Sequence, residues 1–209
     1  MSTVFYVQAS PRGTESFSIA AANAFIESYR KKSPDDEIVT INVFDRDLPP
    51  FDGKILGAKY AILHGKAPSE DQQADWAKVE SIIEEFRSAD KYVFAVPMWN
   101  FGLPYRFKQY LDILIQPGYT FQYSPEEGYK GLLPDRPVFV AYSRGGSYPR
   151  GSEVEHMDFQ VPYFKTLLNF IGLRKIEHVI IDSTLGSQQG AGANLDNAIR
   201  KATEIAENF

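Results

Sequence analysis

Three short segments carry side chains that could do chemistry together. The first, Ser10-Pro11-Arg12-Gly13-Thr14-Glu15-Ser16-Phe17-Ser18, sets several hydroxyls just ahead of an amphipathic run. It has neither the GK[ST] triplet of a P-loop nor the G-x-G-x-x-G of a dinucleotide fingerprint. Free N–H groups at a helix start, assisted by hydroxyl donors, can still hold an anion, and a terminal phosphomonoester suits them better than a pyrophosphate. The plainer reading is that Ser16 or Ser18 only caps the helix.

The second segment, Pro97-Met98-Trp99-Asn100-Phe101-Gly102, puts three large apolar side chains and one amide in a loop. Loops avoid such bulk unless something covers it. A flat, mostly apolar heterocycle would do so, with Asn100 and the backbone amides meeting its polar edge. Alternatively, Met98 and Trp99 plug the core. In the third segment, Ser143-Arg144-Gly145-Gly146-Ser147-Tyr148, paired glycines allow close backbone approach to a ligand. Their N–H groups could donate to a ring carbonyl or stabilise negative charge developing there. The competing reading is an ordinary glycine turn with a solvated Arg144.

Other chemistries lack their residues. The 209-residue chain contains no cysteine, which excludes disulfide scaffolds, thiolate metal sites and cysteine nucleophiles, so redox work needs a bound cofactor. His64, His156 and His178 are scattered without metal-ligand spacing. The acidic pairs Asp35-Asp36, Glu84-Glu85 and Glu126-Glu127 are adjacent and so do not converge on one point. No G-x-S-x-G elbow is present. A net charge of −5 and scattered Lys and Arg argue against nucleic acid as the main partner. No apolar run approaches the roughly 18 to 20 residues needed to span a bilayer. The first residues show no targeting pattern, which leads us to expect a cytoplasmic protein.

The elements that must position these loops follow from periodicity. Continuous apolar runs at Val4 to Val7, Ile38 to Val43, Tyr92 to Val96, Val138 to Tyr142 and Ile176 to Ile181 predict five strands. Between them, apolar residues at helical spacing predict helices: Ile19, Ala22, Ile26 and Tyr29; Trp76, Val79, Ile83 and Phe86; Phe107, Leu111 and Leu114 after Pro104; Val161, Phe164, Leu168 and Ile171 within about 158–171; and a closing helix over 193–207. Residues 53–68 read as weakly helical. Tyr119 to Leu133 reads as a hairpin excursion around Ser124-Pro125-Glu126-Glu127-Gly128. Residues 1–209 are therefore expected to form a single domain.

Strands without polar alternation, separated by helices, imply an α/β fold: a doubly wound five-stranded parallel sheet with helices on both faces. Such sheets bind ligands beyond the carboxyl ends of their strands. All three segments follow strands.

On Ser10 through Ser18, Pro97-Met98-Trp99-Asn100-Phe101, Gly118-Tyr119-Thr120-Phe121 and Ser143-Arg144-Gly145-Gly146, taken in order, the chain resembles the FMN-dependent NADH-azoreductase family of flavodoxin-like quinone reductases. The resemblance implies a flavodoxin-like fold and an FMN enzyme. NADH or NADPH would be the donor and quinones or azo compounds the acceptors, in ping-pong order. It also implies a homodimer with flavin sites at the subunit interface. It assigns the FMN phosphate to Ser10, Ser16, Phe17 and Ser18, the ring to Pro97, Met98, Trp99, Asn100 and Phe101, and the pyrimidine side to Ser143, Arg144, Gly145 and Gly146. Phe101, Tyr123, Tyr148 and Phe170 correspond to the substrate pocket. Phe17 stands where a polar residue is common, and Tyr148 where some relatives have histidine. A flavodoxin-like electron carrier, binding flavin without substrate turnover, is the alternative.

Overall fold

The computed structural model describes all 209 residues. Strands β1 (Thr3–Gln8), β2 (Glu37–Asn42), β3 (Lys91–Pro97), β6 (Val138–Ser143) and β7 (Ile176–Ile181) form one parallel sheet in the order β2-β1-β3-β6-β7. This is the flavodoxin-like doubly wound order, and its switch point lies between β1 and β3. A separate antiparallel pair, β4 (Phe121–Ser124) and β5 (Gly128–Gly131), forms the expected hairpin.

The central strands explain their own composition. Every residue of β6 is buried, because helices cover both of its faces. On one face, α1 (Phe17–Lys32) and α6 (Gln188–Ala206) pack Phe25, Tyr29, Ala198 and Ala202 against Val93, Phe139 and Ala141. On the other, α3 (Glu70–Ser88), α4 (Tyr105–Leu114) and α5 (Val161–Ile171) pack Phe86, Phe107 and Phe164 against Phe5, Phe94 and Val140. Burying one such aromatic side chain contributes on the order of 1.5–3 kcal/mol. The stripes predicted for α1 and α3 are the buried ones. No helix is long and apolar enough to cross a membrane.

Three boundaries differ from expectation, each for a local reason. Residues 53–68 are a helix only over α2 (Gly53–Leu63), begun by Asp52, whose side chain accepts from the Lys54 and Ile55 N–H groups. The helix expected from about 158 starts at Val161, because Asp158 folds back to accept from the N–H groups of Gln160 and Val161. The closing helix begins at Gln188 rather than 193. Its N-cap Ser187 accepts from Gly190 N–H, and the Gly190 and Gly192 that mask the apolar pattern lie inside the first turns.

The hairpin is fixed to α5 through two glycines. A Cβ on Gly131 would lie 2.4 Å from Gly172 N, and one on Gly172 would lie 2.4 Å from Leu133 O. Gly172, at φ 113°, closes α5 in the left-handed region that glycine occupies freely.

Candidate functional site

The sheet register brings the loops together. Gln8 pairs with Ala95, Pro97 with Ser143, and Ser143 with Ile181, so four chain segments leave the sheet at the same edge. Beyond that edge, Ala9 N–H donates to Ala95 O, Met98 N–H to Ser143 O at 2.7 Å, and Arg144 N–H to Ile181 O. Buried Gln160 adds a brace, its Nε2 donating to Val96 O at 2.9 Å and to Ser143 O at 3.4 Å.

After β1, Gly13 at φ 53° turns the chain into a short 3-10 segment, Gly13–Glu15, and Ser16 takes extended geometry as the N-cap of α1. The Ser16 side chain makes no capping bond. It meets the Ser18 hydroxyl at 3.1 Å, both groups being buried. No protein acceptor takes the N–H groups of Phe17, Ser18 and Ile19. The start of α1 therefore presents three donors and a positive dipole end that nothing within the chain satisfies.

After β3, Asn100 (φ 47°) and Phe101 (φ 69°) both lie in the left-handed region, between Trp99 and Gly102, which exchange N–H···O bonds at 3.0 Å in each direction. A bulky residue at positive φ is strained, and such strain persists only where surroundings impose it. Here Phe159 N–H donates to Phe101 O at 3.0 Å, and the Trp99 ring packs near Phe44 and Tyr105. Asn100 and Phe101 are exposed.

After β6, the backbone carbonyls are consumed by the loop that follows β7. Thr184 N–H donates to Arg144 O, Leu185 N–H to Gly145 O and Ser183 N–H to Gly146 O. The Gly145 and Gly146 N–H groups donate to nothing in the chain. Within the chain, a Cβ on Gly145 would lie 2.6 Å from Leu185 Cδ1, the end of an exposed side chain that can move aside, and one on Gly146 3.0 Å from the Tyr148 hydroxyl.

Arg144 is not solvated. Its guanidinium is buried, bonded to Asp158 at 2.6 Å and to Asp182. Burial alone would lower its pKa, but the hydrogen bonds and charges of Asp182 and Asp158 outweigh that and raise it. The guanidinium also stacks over the Tyr148 ring, 5.2 Å from its centre, and Tyr148 in turn meets Phe101 edge to face.

A cleft of about 180 Å³ opens among these loops. Of the residues expected to bind cofactor, Ser10, Ser16, Phe17, Pro97, Met98, Trp99, Ser143, Arg144 and Gly145 line it. Ser18 lies behind Ser16, while Asn100, Phe101 and Gly146 stand outside its walls. Arg12, Thr184 and Leu185 line it as well and were not anticipated. Thr184 and Leu185 follow the fifth strand of the sheet, and that position alone could have flagged them. The four expected substrate-pocket residues divide into two groups. Phe101 and Tyr148 pair, whereas Tyr123 and Phe170 belong to a separate aromatic cluster with Phe121 and Tyr129 between the hairpin and α5.

The family model of the flavodoxin-like fold, Flavodoxin_2, matches residues 2–206. The chain belongs to this family. Among flavodoxin-like relatives, an FMN-dependent NADH:quinone oxidoreductase of Nitratidesulfovibrio vulgaris (strain DP4) is 44% identical over 210 residues, covering 100% of both chains. Another of that name, from Desulfotalea psychrophila, is 40% identical and covers 100% of this chain and 98% of its own. Among solved structures, an FMN-dependent NADH-azoreductase from Bacillus anthracis str. Ames Ancestor, in complex with FMN, matches with a TM-score of 0.90 and 28% identity, covering 100% of this chain and 99% of that one. The azoreductase from Bacillus anthracis str. Sterne gives 0.91 and 27%, covering 100% of both chains.

Proposed function

We propose that the chain is an FMN-dependent NADH:quinone oxidoreductase that also reduces azo compounds. The observation that carries this reading is a pair of unclaimed donor sets, each reaching the cleft through one residue: the Phe17, Ser18 and Ile19 N–H groups, of which Phe17 lines it, and the Gly145 and Gly146 N–H groups, of which Gly145 lines it. Donors left unsatisfied in protein are costly unless water or a ligand accepts from them. Their arrangement fits the tail and the polar rim of a flavin mononucleotide, with Pro97, Met98 and Trp99 supplying an apolar surface between them.

In this reading the start of α1, with Ser10 and Ser16, holds the phosphate, and Ser18 orients the Ser16 hydroxyl. Met98, Trp99, Asn100 and Phe101 bear on the ring. Gly145 and Gly146 offer N–H donors at its pyrimidine side, where fixed dipoles stabilise negative charge without reorganising. Arg144 acts indirectly, by fixing the backbone that aims those donors. Bound FMN would supply the chemistry, two-electron hydride transfer from NADH or NADPH to a quinone or azo acceptor in ping-pong order.

At about 180 Å³ the cleft is smaller than the roughly 300–1,000 Å³ typical of small-ligand sites. A second copy packed against this face would complete the walls, and we propose that the enzyme is a homodimer; we propose too that it works in the cytoplasm. The substrate pocket then combines Phe101 and Tyr148 with Tyr123 and Phe170 across the subunit contact.

Steady-state oxidation of NADH by FMN-loaded protein, with a benzoquinone as acceptor, tests the reading. Sustained turnover is expected. Stoichiometric flavin binding without turnover would instead favour an electron carrier.

A further inference from the structure

The charges lining the cleft leave one cation free for an anionic ligand. Only Arg12 and Arg144 among the lining residues carry charge, and Arg144 is 4% exposed and held by two carboxylates. That group of one guanidinium and two carboxylates has a net charge of −1, so it offers a phosphate no free cation. Arg12 differs in each respect. Its side chain is 61% exposed, and its one ionic contact, to Glu15, is stretched to 3.9 Å with Glu15 itself 80% exposed. Exposed pairs of this kind contribute little, so the guanidinium can leave Glu15 at small cost. Its backbone is already anchored beside the site, because Arg12 N–H donates to Ser10 Oγ at 3.3 Å.

We infer that Arg12 adds to the selection of a phosphorylated flavin over an unphosphorylated one, beside the serines at the start of α1, by exchanging Glu15 for the ligand's phosphate. This rests on the FMN reading above. A phosphomonoester carries about −1.5 to −2 charges at neutral pH. The dipole at the α1 N-terminus, equivalent to about half a charge, offsets only part of that charge. A planar guanidinium supplies paired N–H donors matched to phosphate oxygens. The uncommitted charge at the mouth of the cleft also speeds capture of the anion, an effect that salt weakens.

The test is equilibrium binding of FMN and of riboflavin to apo-protein, followed by quenching of flavin fluorescence at low and high salt. It compares the unmodified chain with Arg12→Gln and Arg12→Lys. Arg12→Gln is expected to weaken FMN about tenfold, to leave riboflavin unchanged and to flatten the salt dependence of FMN binding, while Arg12→Lys recovers part of the loss. Equal weakening of both flavins, or unchanged FMN affinity, would overturn the inference while leaving the flavin site in place. Failure of the unmodified chain to bind either flavin would overturn the site reading itself, and the inference with it. Because Arg12 is exposed, folding is not at stake, and riboflavin binding by the variant reports an intact site.

Discussion

The Arg144 guanidinium donates to Asp158 Oδ2 at 2.6 Å, and the other oxygen of the same carboxylate accepts from the Gln160 and Val161 N–H groups at 3.0 Å. One side chain thus joins the loop after β6 to the start of α5, and through Asp182 to the loop after β7. Removing the cation leaves two carboxylates facing each other in a largely dry setting. Arg144→Ala is expected to cost about 3 kcal/mol of unfolding free energy, the lower end for a broken buried pair because Asp182 is partly exposed. Urea denaturation measures it, and a loss below about 1 kcal/mol would show that the clamp is not structural.

The turn at Asn100 and Phe101 stores backbone strain that substitution can reveal. Phe101 at φ 69° lies in the left-handed region, which costs a residue with a Cβ roughly 1–2 kcal/mol. Phe101→Gly should therefore be more stable than Phe101→Ala by about 1 kcal/mol, the reverse of the usual order for these two residues in regular structure. Thermal or chemical unfolding of the two variants decides it. Equal stabilities would mean that the turn relaxes freely.

The serines at the start of α1 can be separated from Arg12 by their burial. Ser16 lines the cleft and Ser18 supports it from behind. The double change Ser16→Ala, Ser18→Ala should weaken FMN far more than riboflavin, by roughly 1.5–3 kcal/mol per lost charge-assisted bond. Calorimetric titration of both flavins provides the comparison, and equal losses would move the phosphate elsewhere.

Several phenols resist ionisation. Burial pushes the Tyr92 pKa up to about 12, and burial together with the hydrogen bond to Asp36 does the same for Tyr29, from an ordinary value of 10.0. Burial also raises Tyr6, Tyr110 and Tyr142. These groups stay protonated in the folded chain at a pH where the unfolded chain would lose the protons. The stability that Tyr92 and Tyr29 lend is complete below pH 10 and drains away between about pH 10 and 12, and that of the other three goes on falling above this window. Ultraviolet absorbance should show the buried tyrosinates appearing only as the fold is lost. A single step with the fold intact would contradict this.

Much of the architecture could be read from the chain because burial on both faces leaves an unmistakable mark. Val138 to Tyr142 is apolar throughout for the reason that every residue of β6 is covered. The closing helix was harder, since Gly190 and Gly192 interrupt its pattern while a serine cap, invisible to periodicity, sets its start. At the site, the loops after β1, β3 and β6 announced themselves by composition. Arg144 did not announce its true partners, because Asp158 and Asp182 lie 14 and 38 residues away along the chain and meet it only through the fold. The division of Phe101 and Tyr148 from Tyr123 and Phe170 was likewise illegible, since it depends on where α5 carries the hairpin.

The most direct test of the whole account is amide hydrogen exchange, resolved by residue, on apo-protein with and without FMN. Joint protection of Phe17, Ser18 and Ile19 together with Gly145 and Gly146 is predicted, because one ligand takes both donor sets. Protection of only one set, or of neither while FMN is bound, would contradict the claim that these loops share a single flavin.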